Sequence, residues 1–246
     1  MTKYKAESIL PYNGQEKKSV QIRQMFDAIA PSYDLLNRTM TWGIDRRWRK
    51  TAVKMLRTHA PEQILDIATG TGDLAFLMHR MLHPERITGA DLSEGMLKIA
   101  QEKAAALGLQ EDIVFENQDC LHLTYPDATF DAVTVAYGVR NFEELDRGFQ
   151  EMYRVLRPGG ILQVIELSTP EQFPFRQLYR FYSGTIIPVM GRLLSKDKKA
   201  YSYLPQSIAG VPQGEQMLDI FRRAGFQNAR CTKLTFGVCS VYTGEK

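Results

Sequence analysis

The stretch that most constrains the fold is residues 64–75, which read Ile-Leu-Asp-Ile-Ala-Thr-Gly-Thr-Gly-Asp-Leu-Ala. An apolar run that leads into a glycine-containing turn and then into a helical pattern is typical of the first strand and turn of a nucleotide-binding α/β domain. Gly70 and Gly72 let the backbone turn tightly and approach a ligand without a Cβ in the way. The sequence therefore predicts a doubly wound sheet whose first strand ends at a ligand.

A single acidic residue, Asp91, follows this turn by about 20 residues, at the end of a second short apolar run. A carboxylate at the end of the second strand is where such domains bind the hydroxyl groups of a ribose. Residues 70–75 match the loose dinucleotide fingerprint G-x-G-x-x-G/A. They more closely resemble the S-adenosylmethionine loop of class I methyltransferases. The spacing alone leaves both ligands open.

The C-terminal part of the chain favours the second ligand. Further apolar runs predict a third, a fourth and a fifth strand at 113–117, 130–136 and 161–167. After a last helix come two runs, 228–236 and 238–243, which must pair antiparallel because so short a link joins them. A mostly parallel sheet that ends in a hairpin is the class I methyltransferase layout and not the second half of a dinucleotide dehydrogenase. We therefore predict an α/β, Rossmann-like class I S-adenosylmethionine methyltransferase fold.

Polar residues after the third and fourth predicted strands are candidate ligand contacts. In this architecture the turn after the third strand lies over the adenine. Asp119 is placed there to accept a hydrogen bond from the adenine amino group, and the Cys120 backbone N–H to donate one to a ring nitrogen. A solvent-facing Asp119 is the alternative. Arg140 and Asn141 follow the fourth strand and should face the same crevice, because the carboxyl ends of parallel strands meet there.

Two segments stand outside the α/β alternation of this single domain, residues 1–246. Residues 1–60 are predicted to form an N-terminal helical lid, loosely ordered up to about residue 17, with Asp45 capping a helix over 46–58. Residues 170–205 form an apolar insertion after the fifth strand, expected over the substrate site. The alternatives stay open: the first segment simply packs on the sheet, and the second packs on the domain or at a dimer interface.

Bulk composition excludes several classes of protein. The 246 residues carry 31 basic and 28 acidic side chains, and the net charge of +3 is too small to indicate a nucleic-acid partner. Cys120, Cys231 and Cys239 have no spacing typical of a metal site or a disulfide framework, which suits a reducing cytosol. The N-terminus lacks the apolar region of a signal peptide, and no stretch resembles a membrane span. We expect a cytoplasmic protein without a metal.

Three further motifs are far more specific than the glycine turn. They are Tyr33-Asp34-x-x-Asn37 leading to Trp48, Tyr137-Gly138-Val139-Arg140-Asn141 after the fourth strand, and Arg154-Val155-Leu156-Arg157-Pro158-Gly159-Gly160 followed by Glu166-Leu167-Ser168. By these motifs the chain resembles the demethylmenaquinone/ubiquinone C-methyltransferase family of class I enzymes, called UbiE or MenG. The resemblance extends from about Met25 to the C-terminus.

The resemblance implies S-adenosylmethionine as the cofactor. The residues expected to bind it are Gly70, Thr71, Gly72, Asp91, Asp119 and Cys120. The chain departs from the family at three places. Asp45 stands where the family usually has His, Ala136 stands where some members have a cofactor-contacting Ser, and Asp119-Cys120 replaces a commoner Asn-Ala or Asp-Ala pair. The first departure puts a catalytic role at Asp45 in doubt, and backbone groups can partly supply the contacts at the others.

The implied reaction is C-methylation of the ring of an isoprenoid quinol, demethylmenaquinol to menaquinol, with the benzoquinol of the ubiquinone pathway as the alternative. A phenol with a pKa of about 10 must lose its proton to make the adjacent ring carbon nucleophilic. We expect Arg140 to stabilise the phenolate and Asn141 to orient the ring hydroxyl. Tyr33 and Asp34 are expected to close the lid, with Asp34 or a water as the proton acceptor. His122 is a weaker candidate base.

The remaining expectations concern partners. An isoprenoid tail places the substrate in a membrane, and the apolar stretch 173–194 suits transient contact with an anionic surface at the inner membrane face. The basic residues expected to assist are Arg176, Arg180, Lys196, Lys198 and Lys199. A homodimer is the default expectation. The competing functions are a small-molecule O- or N-methyltransferase and a cofactor-binding subunit without activity of its own. A nucleic-acid methyltransferase is disfavoured, since its Pro-Pro-[Tyr/Phe] and Pro-Cys motifs are missing.

Overall fold

The architecture is a seven-stranded, mostly parallel sheet flanked by helices. A computed structural model describes residues 4–12, 14–186 and 198–246 of the chain. In chain order the strands are β1 Gln63–Ile67, β2 Arg86–Asp91, β3 Ile113–Asn117, β4 Phe130–Ala136, β5 Leu156–Leu167, β6 Gln227–Leu234 and β7 Cys239–Glu245. Their spatial order is β3-β2-β1-β4-β5-β7-β6, and β7 runs antiparallel to both of its neighbours. The predicted class I sheet with its C-terminal hairpin is confirmed.

Helices connect most of these strands. Within the described residues they are α1 Lys5–Ser8, α2 Lys18–Ile29, α3 Tyr33–Thr41, α4 Asp45–Leu56, α5 Asp73–Leu82, α6 Glu94–Leu107, α7 Leu145–Val155, α8 Phe175–Phe181, α9 Lys198–Gly210 and α10 Glu215–Ala224. Ser93 caps α6 by accepting a hydrogen bond from the Met96 backbone N–H at 3.1 Å. The predicted cap at Asp45 is wrong. Asp45 is the first residue of α4, and its carboxylate is bound by Thr41 and Arg49 instead.

Alternate side chains of the central strand pack into two separate cores. Leu65 and Ile67 of β1 belong to one cluster, together with Phe149 of α7 and Phe221 of α10. Ile64 belongs to a second cluster that contains apolar residues of α4, α5 and α6. Successive side chains of a strand point to opposite faces of the sheet, so the two clusters lie on its two sides. Coverage of both faces explains why these strands are apolar runs without polar alternation.

The register of the parallel strands brings their carboxyl ends to one edge of the sheet. Ile67 of β1 is paired with Ala90 of β2 on one side and with Val135 of β4 on the other. The strand order reverses at β1, because the chain continues to β2 in one direction and returns to β4 in the other. A crevice opens at such a switch point, and this class of fold binds its ligands there.

The N-terminal residues are ordered, so the loose order predicted up to about residue 17 is wrong for those the structure describes. Ala6 of α1 is fully buried. Glu7 accepts a hydrogen bond from the backbone N–H of Leu145 at 2.9 Å. These partners lie far along the chain, and the polar composition of the segment carries no sign of them. Residues 1–3 and 13 lie outside the described part.

One buried cation, Lys18 at the start of α2, ties this segment to the turn after β4. Its ammonium donates hydrogen bonds to the carbonyl oxygens of Ala6, Arg140 and Phe142 at 2.7, 3.1 and 3.1 Å. Burial lowers the pKa of the Lys18 ammonium to about 8. Three carbonyl acceptors compensate in part for the lost hydration of this charge, and the ammonium holds the backbone around Arg140 in place.

The predicted insertion after the fifth strand contributes two described helices, α8 and α9. A π-helical turn, Tyr182–Ile186, follows α8. The central part of the predicted apolar and basic stretch, including Val189, Met190, Leu193, Leu194 and Lys196, lies outside the described residues. No helix within the described part of the chain combines the length and the apolar character that crossing a membrane requires.

We expect Lys18→Met to lower the free energy of unfolding at pH 7 by about 2–4 kcal/mol, because three buried carbonyl groups lose a charged donor. Urea unfolding measures this change. Lys17→Met at the exposed neighbouring position is the matched control, and it should shift the unfolding free energy by less than about 0.5 kcal/mol. Equal unfolding free energies for the two variants would contradict the role given to Lys18.

The same comparison has a pH signature. The folded-state pKa of about 8 lies below the ordinary 10.5, so the native state holds this proton more weakly than the unfolded state between those values. The unfolded state therefore binds more protons in this window, and the contribution of Lys18 to stability rises as the pH is raised from 8 towards 10.5. Lys18→Met should lack this contribution.

Candidate active site

The crevice beside β1 contains a first cavity, the crevice cavity, with an empty volume of about 780 Å³. The predicted site residues that line it are Tyr33, Gly70, Asp91, Asp119, Cys120 and Asn141. They come from α3, from the last residue of β2 and from the turns that follow β1, β3 and β4. Gly72 instead precedes α5, and the hydroxyl of Thr71 points to Asp34 of α3.

The carboxylate of Asp91, the last residue of β2, lies against the glycine turn. It accepts hydrogen bonds from the Gly70 backbone N–H at 2.8 Å and from the Ser93 backbone N–H at 2.9 Å. Burial raises the pKa of Asp91, although these two N–H groups work in the opposite direction. The residue predicted to bind a ribose is therefore positioned between the turn and the start of α6.

A second buried carboxylate, Asp66 of β1, helps to fix the start of the glycine turn through Thr69. Its two oxygens accept hydrogen bonds from the hydroxyls of Thr69 and Thr134, both at 2.6 Å. Burial raises the pKa of Asp66 to about 6.

Gly72 has a φ of +81°, and a Cβ there would lie 2.8 Å from the Phe115 ring, so only glycine suits this position.

The turn after β3 contains Asp119 and Cys120. Asp119 accepts a hydrogen bond from the backbone N–H of Leu121 at 2.9 Å. Burial raises the pKa of the Cys120 thiol well above its usual value, so the thiol is neutral. His122 pairs with Asp119 at 3.4 Å and its side chain is 72% exposed. The weaker candidate base thus lies at the surface.

Asp34 links α3 to the glycine turn. Its carboxylate accepts hydrogen bonds from the Thr71 hydroxyl and from the Lys103 ammonium, both at 2.6 Å. Lys103 also contacts Asp73 at 3.1 Å. Burial alone would raise the pKa of Asp34, but the hydrogen bonds from Lys103 and Thr71 outweigh it and hold the pKa below its ordinary value. The sequence motif identified Asp34 but not its partner Lys103.

A second and larger cavity, the apolar cavity, opens beside the first, with an empty volume of about 1240 Å³. Its walls come from α3, α4, α8 and α9 and from the turns that follow β4 and β6. Large aromatic side chains are prominent among its lining residues: Trp42, Trp48, Phe175, Tyr179, Tyr182 and Phe236. Tyr33 and Tyr137 line both cavities. We call these two residues the tyrosine pair, and the cavities meet there.

The backbone is strained where β1 and β4 end. Ala68 has a φ of +52° and Tyr137 a φ of +59°, values that side chains with a Cβ rarely adopt. A Cβ on Gly138 would lie 2.6 Å from the Cβ of Ala68, so the two strand ends approach closely only with glycine there. Strain of this kind concentrates at functional sites. The positive φ of Tyr137 therefore marks this residue as a candidate for a functional role, which the sequence pattern did not reveal.

Arg140 reaches the apolar cavity from the short 3-10 turn Val139–Asn141. Its Nη1 donates to Oε1 of Glu166 on β5 at 2.6 Å, with side chains only 7% and 2% exposed. Burial alone would lower the pKa of Arg140, but the Glu166 carboxylate raises it, so the guanidinium stays charged. A buried ion pair needs such geometry to be tolerated. Glu166 stands in one of the sequence motifs, but no role was predicted for it. The signal that could have identified it is that a buried arginine needs a carboxylate partner.

Three tyrosines, Tyr33, Tyr179 and Tyr203, lie near Arg140 and Asn141. The Tyr203 hydroxyl of α9 donates to Oδ1 of Asn141 at 3.0 Å, so the insertion is bound to the turn after β4. Burial raises the pKa of Tyr179 to about 12 and also raises that of Tyr33, although Arg140 opposes both shifts. These tyrosines are therefore neutral hydrogen-bond donors at pH 7.

A second buried arginine, Arg49 of α4, also lines the apolar cavity. Its terminal nitrogens pair with Asp45 and, at 3.1 Å, with Asp73. The Thr41 hydroxyl donates to Asp45 at 2.7 Å. The sequence marked Asp45 as a departure from the resembled family, but it did not assign Arg49. The i, i+4 spacing of the two residues was the available signal.

Comparison with known proteins places these features in a family. The model of the ubiE/COQ5 methyltransferase family matches residues 14–246. The demethylmenaquinone methyltransferase of Bacteroides fragilis is 51% identical over 243 residues, 99% of each chain. That of Thermus thermophilus is 44% identical over 222 residues, 90% of this chain and 100% of the relative. The ubiquinone/menaquinone biosynthesis C-methyltransferase UbiE of Geobacter sulfurreducens is 42% identical over 231 residues, 94% of this chain and 90% of the relative.

Solved structures resemble the fold at low identity. The crystal structure of the [4+2]-cyclase SpnF superposes with a TM-score of 0.61 at 21% identity, over 93% of this chain and 96% of that chain. A SAM-dependent methyltransferase from Aquifex aeolicus has a TM-score of 0.54 at 18% identity, over 74% of this chain and 81% of that chain. These likenesses concern the architecture alone.

Proposed function

Since the chain belongs to the ubiE/COQ5 methyltransferase family, we propose that it uses S-adenosylmethionine to methylate a ring carbon of demethylmenaquinol. The products are menaquinol and S-adenosylhomocysteine, and the ring hydrogen that the methyl group replaces leaves as a proton. One observation carries the proposal. A nucleoside-type crevice meets a large apolar cavity at the tyrosine pair, and a buried cation, Arg140, lines the apolar side.

The donors and acceptors of the crevice cavity fit S-adenosylmethionine. Asp91 would accept hydrogen bonds from the ribose hydroxyls, Asp119 would accept one from the adenine amino group, and the Cys120 backbone N–H would donate to a ring nitrogen. A Cβ built on Gly70 has only the Tyr33 ring within 4 Å, at 3.8 Å, so the backbone is open to a ligand there. When bound, the sulfonium supplies an electrophilic methyl group without a metal.

We assign Asp34 to lid closure rather than to proton transfer. Its carboxylate already accepts hydrogen bonds from Thr71 and Lys103, and its lowered pKa makes it a weak base. Gly72 supports this contact by allowing the turn that presents Thr71. The hydrogen bond between Asp34 and Thr71 thus connects the lid directly to the loop that would hold the cofactor. Water remains as the acceptor of the quinol proton.

Arg140 is the candidate for binding the phenolate. Glu166 holds one terminal nitrogen, while Nε is buried without a partner. A phenol with a pKa of about 10 becomes more acidic beside a fixed cation, and the resulting phenolate pushes electron density onto the neighbouring ring carbon. Asn141 has its Oδ1 engaged by Tyr203 and keeps its amide N–H groups to orient the ring hydroxyl.

Methyl transfer from labelled S-adenosylmethionine to two quinols tests the proposal. The substrates are demethylmenaquinol and the demethylated benzoquinol precursor of ubiquinone, both in detergent with a reductant. We expect label in the naphthoquinol product, because relatives up to 51% identical are named for that substrate. Label in the benzoquinol product as well would mean that the cavity recognises the quinol and tail rather than the second ring. Label in neither product, with cofactor binding confirmed by calorimetry, would contradict the proposal.

We expect Arg140→Lys to lower kcat by about 10²–10³, because a preorganised donor to the phenolate is lost while the charge opposite Glu166 is kept. The affinity for S-adenosylhomocysteine, measured by calorimetry, should change less than about twofold. Arg147→Lys on α7, where the side chain is partly exposed, is the control and should leave both quantities unchanged. Equal losses of kcat and of cofactor affinity would place Arg140 in cofactor binding.

We further propose that large exposed apolar side chains at the mouth of the apolar cavity contact the membrane that contains the quinol. We call them the apolar rim: Trp42, Phe173, Leu178, Phe181 and Phe236. Three of them, Trp42, Leu178 and Phe236, also line the cavity, so a tail would pass between them. Trp42 is 84% exposed and lies at the left-handed C-cap that ends α3.

Flotation with vesicles that contain anionic lipid tests this contact. We expect the wild-type protein to float and Trp42→Ser/Phe236→Ser to bind at least about tenfold more weakly, because two large aromatic side chains no longer enter the interface. Leu107→Ser, which removes a residue that is 61% exposed at the end of α6, is the control and should float like wild type. Failure of wild type to float, even with quinol in the vesicles, would contradict membrane contact.

A further inference from the structure

Three buried polar atoms without a hydrogen-bond partner belong to residues that line the apolar cavity. Among the described residues, the buried side-chain nitrogen and oxygen atoms without a hydrogen-bond partner are Arg49 Nε, Tyr137 OH, Arg140 Nε and Gln163 Oε1. The first three belong to residues that line this one cavity. Buried polar groups are almost always satisfied, so such a concentration indicates a ligand that supplies the missing partners. All three atoms are donors, and the ligand must therefore present oxygen acceptors.

The three donors form two groups that come from different elements. Arg140 follows β4 and is held by Glu166 of β5. Arg49 lies on α4, and its guanidinium carbon is 5.9 Å from the centre of the Tyr137 ring. A ligand that satisfies both groups needs at least two oxygens. The two ring oxygens of a quinol, para to each other, meet this requirement.

Arg49 is built to present Nε. Its side chain is only 9% exposed, and Asp45 and Asp73 bind both terminal nitrogens. These two carboxylates fix the plane of the guanidinium, and its Nε–H is left buried without a partner. The Arg49 guanidinium is thus paired with carboxylates at its terminal nitrogens, while its Nε–H has no hydrogen-bond partner.

Tyr137 provides a second donor beside Arg49. Burial raises the pKa of its hydroxyl well above the usual value, so the group is neutral and can donate. The Cys239 thiol lies next to this hydroxyl and interacts with it as a weak hydrogen-bond partner, but the contact does not reach ordinary hydrogen-bond geometry, so the hydroxyl keeps its capacity for a stronger partner. The strained backbone at Tyr137 holds the ring at the junction of the two cavities.

We propose that Arg49 and Tyr137 form a second oxygen site, which binds the quinol oxygen para to the oxygen held by Arg140. This inference rests on the proposed function and adds specificity-determining residues to it. Two anchored oxygens fix the ring in its own plane, so that one ring carbon is presented to the crevice cavity. Asp45 is then a positioning residue, because it acts through Arg49. Asp45 stands where the resembled family usually has His, and in this chain it holds the guanidinium of Arg49.

The test compares the binding of two soluble naphthols by the full chain saturated with S-adenosylhomocysteine. One is a 1,4-naphthalenediol with a single prenyl group, kept reduced under anaerobic conditions. The other keeps the hydroxyl beside the methyl-acceptor carbon and lacks the hydroxyl para to it. Calorimetry gives both dissociation constants without turnover. Arg49→Lys keeps a positive charge between Asp45 and Asp73 but removes Nε, and Tyr137→Phe removes only the hydroxyl.

Wild type should bind the diol about tenfold or more tightly than the mono-naphthol. Each variant should lose most of this preference by weakening diol binding, while its affinity for the mono-naphthol changes less than about twofold. Arg46→Lys, at an exposed position of the same helix, should keep the wild-type preference. Thermal unfolding confirms that the variants are folded, and Tyr137→Phe, which changes no charge, decides the question should Arg49→Lys unfold.

Two outcomes would overturn the second oxygen site alone. One is equal affinity of wild type for the two naphthols, and the other is a loss in the variants that affects both naphthols equally, as a purely structural role would. Wild type that binds neither naphthol while it binds S-adenosylhomocysteine would instead overturn the proposed function on which the site rests.

Discussion

The register of β1 between β2 and β4 determines where the polar groups at the strand ends of the site stand. Ile67 pairs with Ala90 on one side and Val135 on the other, so three strands end together. Backbone carbonyl and N–H groups inside the sheet are used by the ladder, and only the residues just beyond the strand ends are free to face a ligand. A shift of one residue in this register would turn Asp91 away from the glycine turn and bury Arg140 elsewhere. The chemistry of the crevice therefore depends on the packing of the apolar strands.

The second constraint on the structure is the burial of positive charge, and each buried cation is paired with fixed acceptor groups. Arg140 faces Glu166, Arg49 faces Asp45 and Asp73, and Lys18 is enclosed by carbonyl oxygens. Each cation has lost most of its water already, and its fixed partners compensate for that loss. A ligand that enters then meets donors that need no further reorganisation. Such preorganised electrostatics is the main way in which an enzyme stabilises developing charge.

Local pattern was sufficient to predict the sheet. The predicted third strand coincides with β3, and the short link at Gly237 required the antiparallel hairpin that β6 and β7 form. The partners of the buried charges could not be predicted in this way. Lys18 binds carbonyl groups 12, 122 and 124 positions away, and Asp34 binds Lys103 at a distance of 69 positions. These pairs depend on tertiary packing, and no periodicity in the sequence encodes them. The order of the N-terminal residues was missed for the same reason.

A continuous chain of polar contacts also connects the apolar cavity with the glycine turn. It runs from the apolar cavity to the glycine turn through Asp45, Arg49, Asp73, Lys103, Asp34 and Thr71. The Asp34 end belongs to α3, while Thr71 belongs to the glycine turn. Moving α3 away from the turn would break both hydrogen bonds of Asp34 and leave Lys103 with one carboxylate instead of two. Helix α3 and the glycine turn are therefore stabilised by the same charges, and the position of one depends on the geometry of the other.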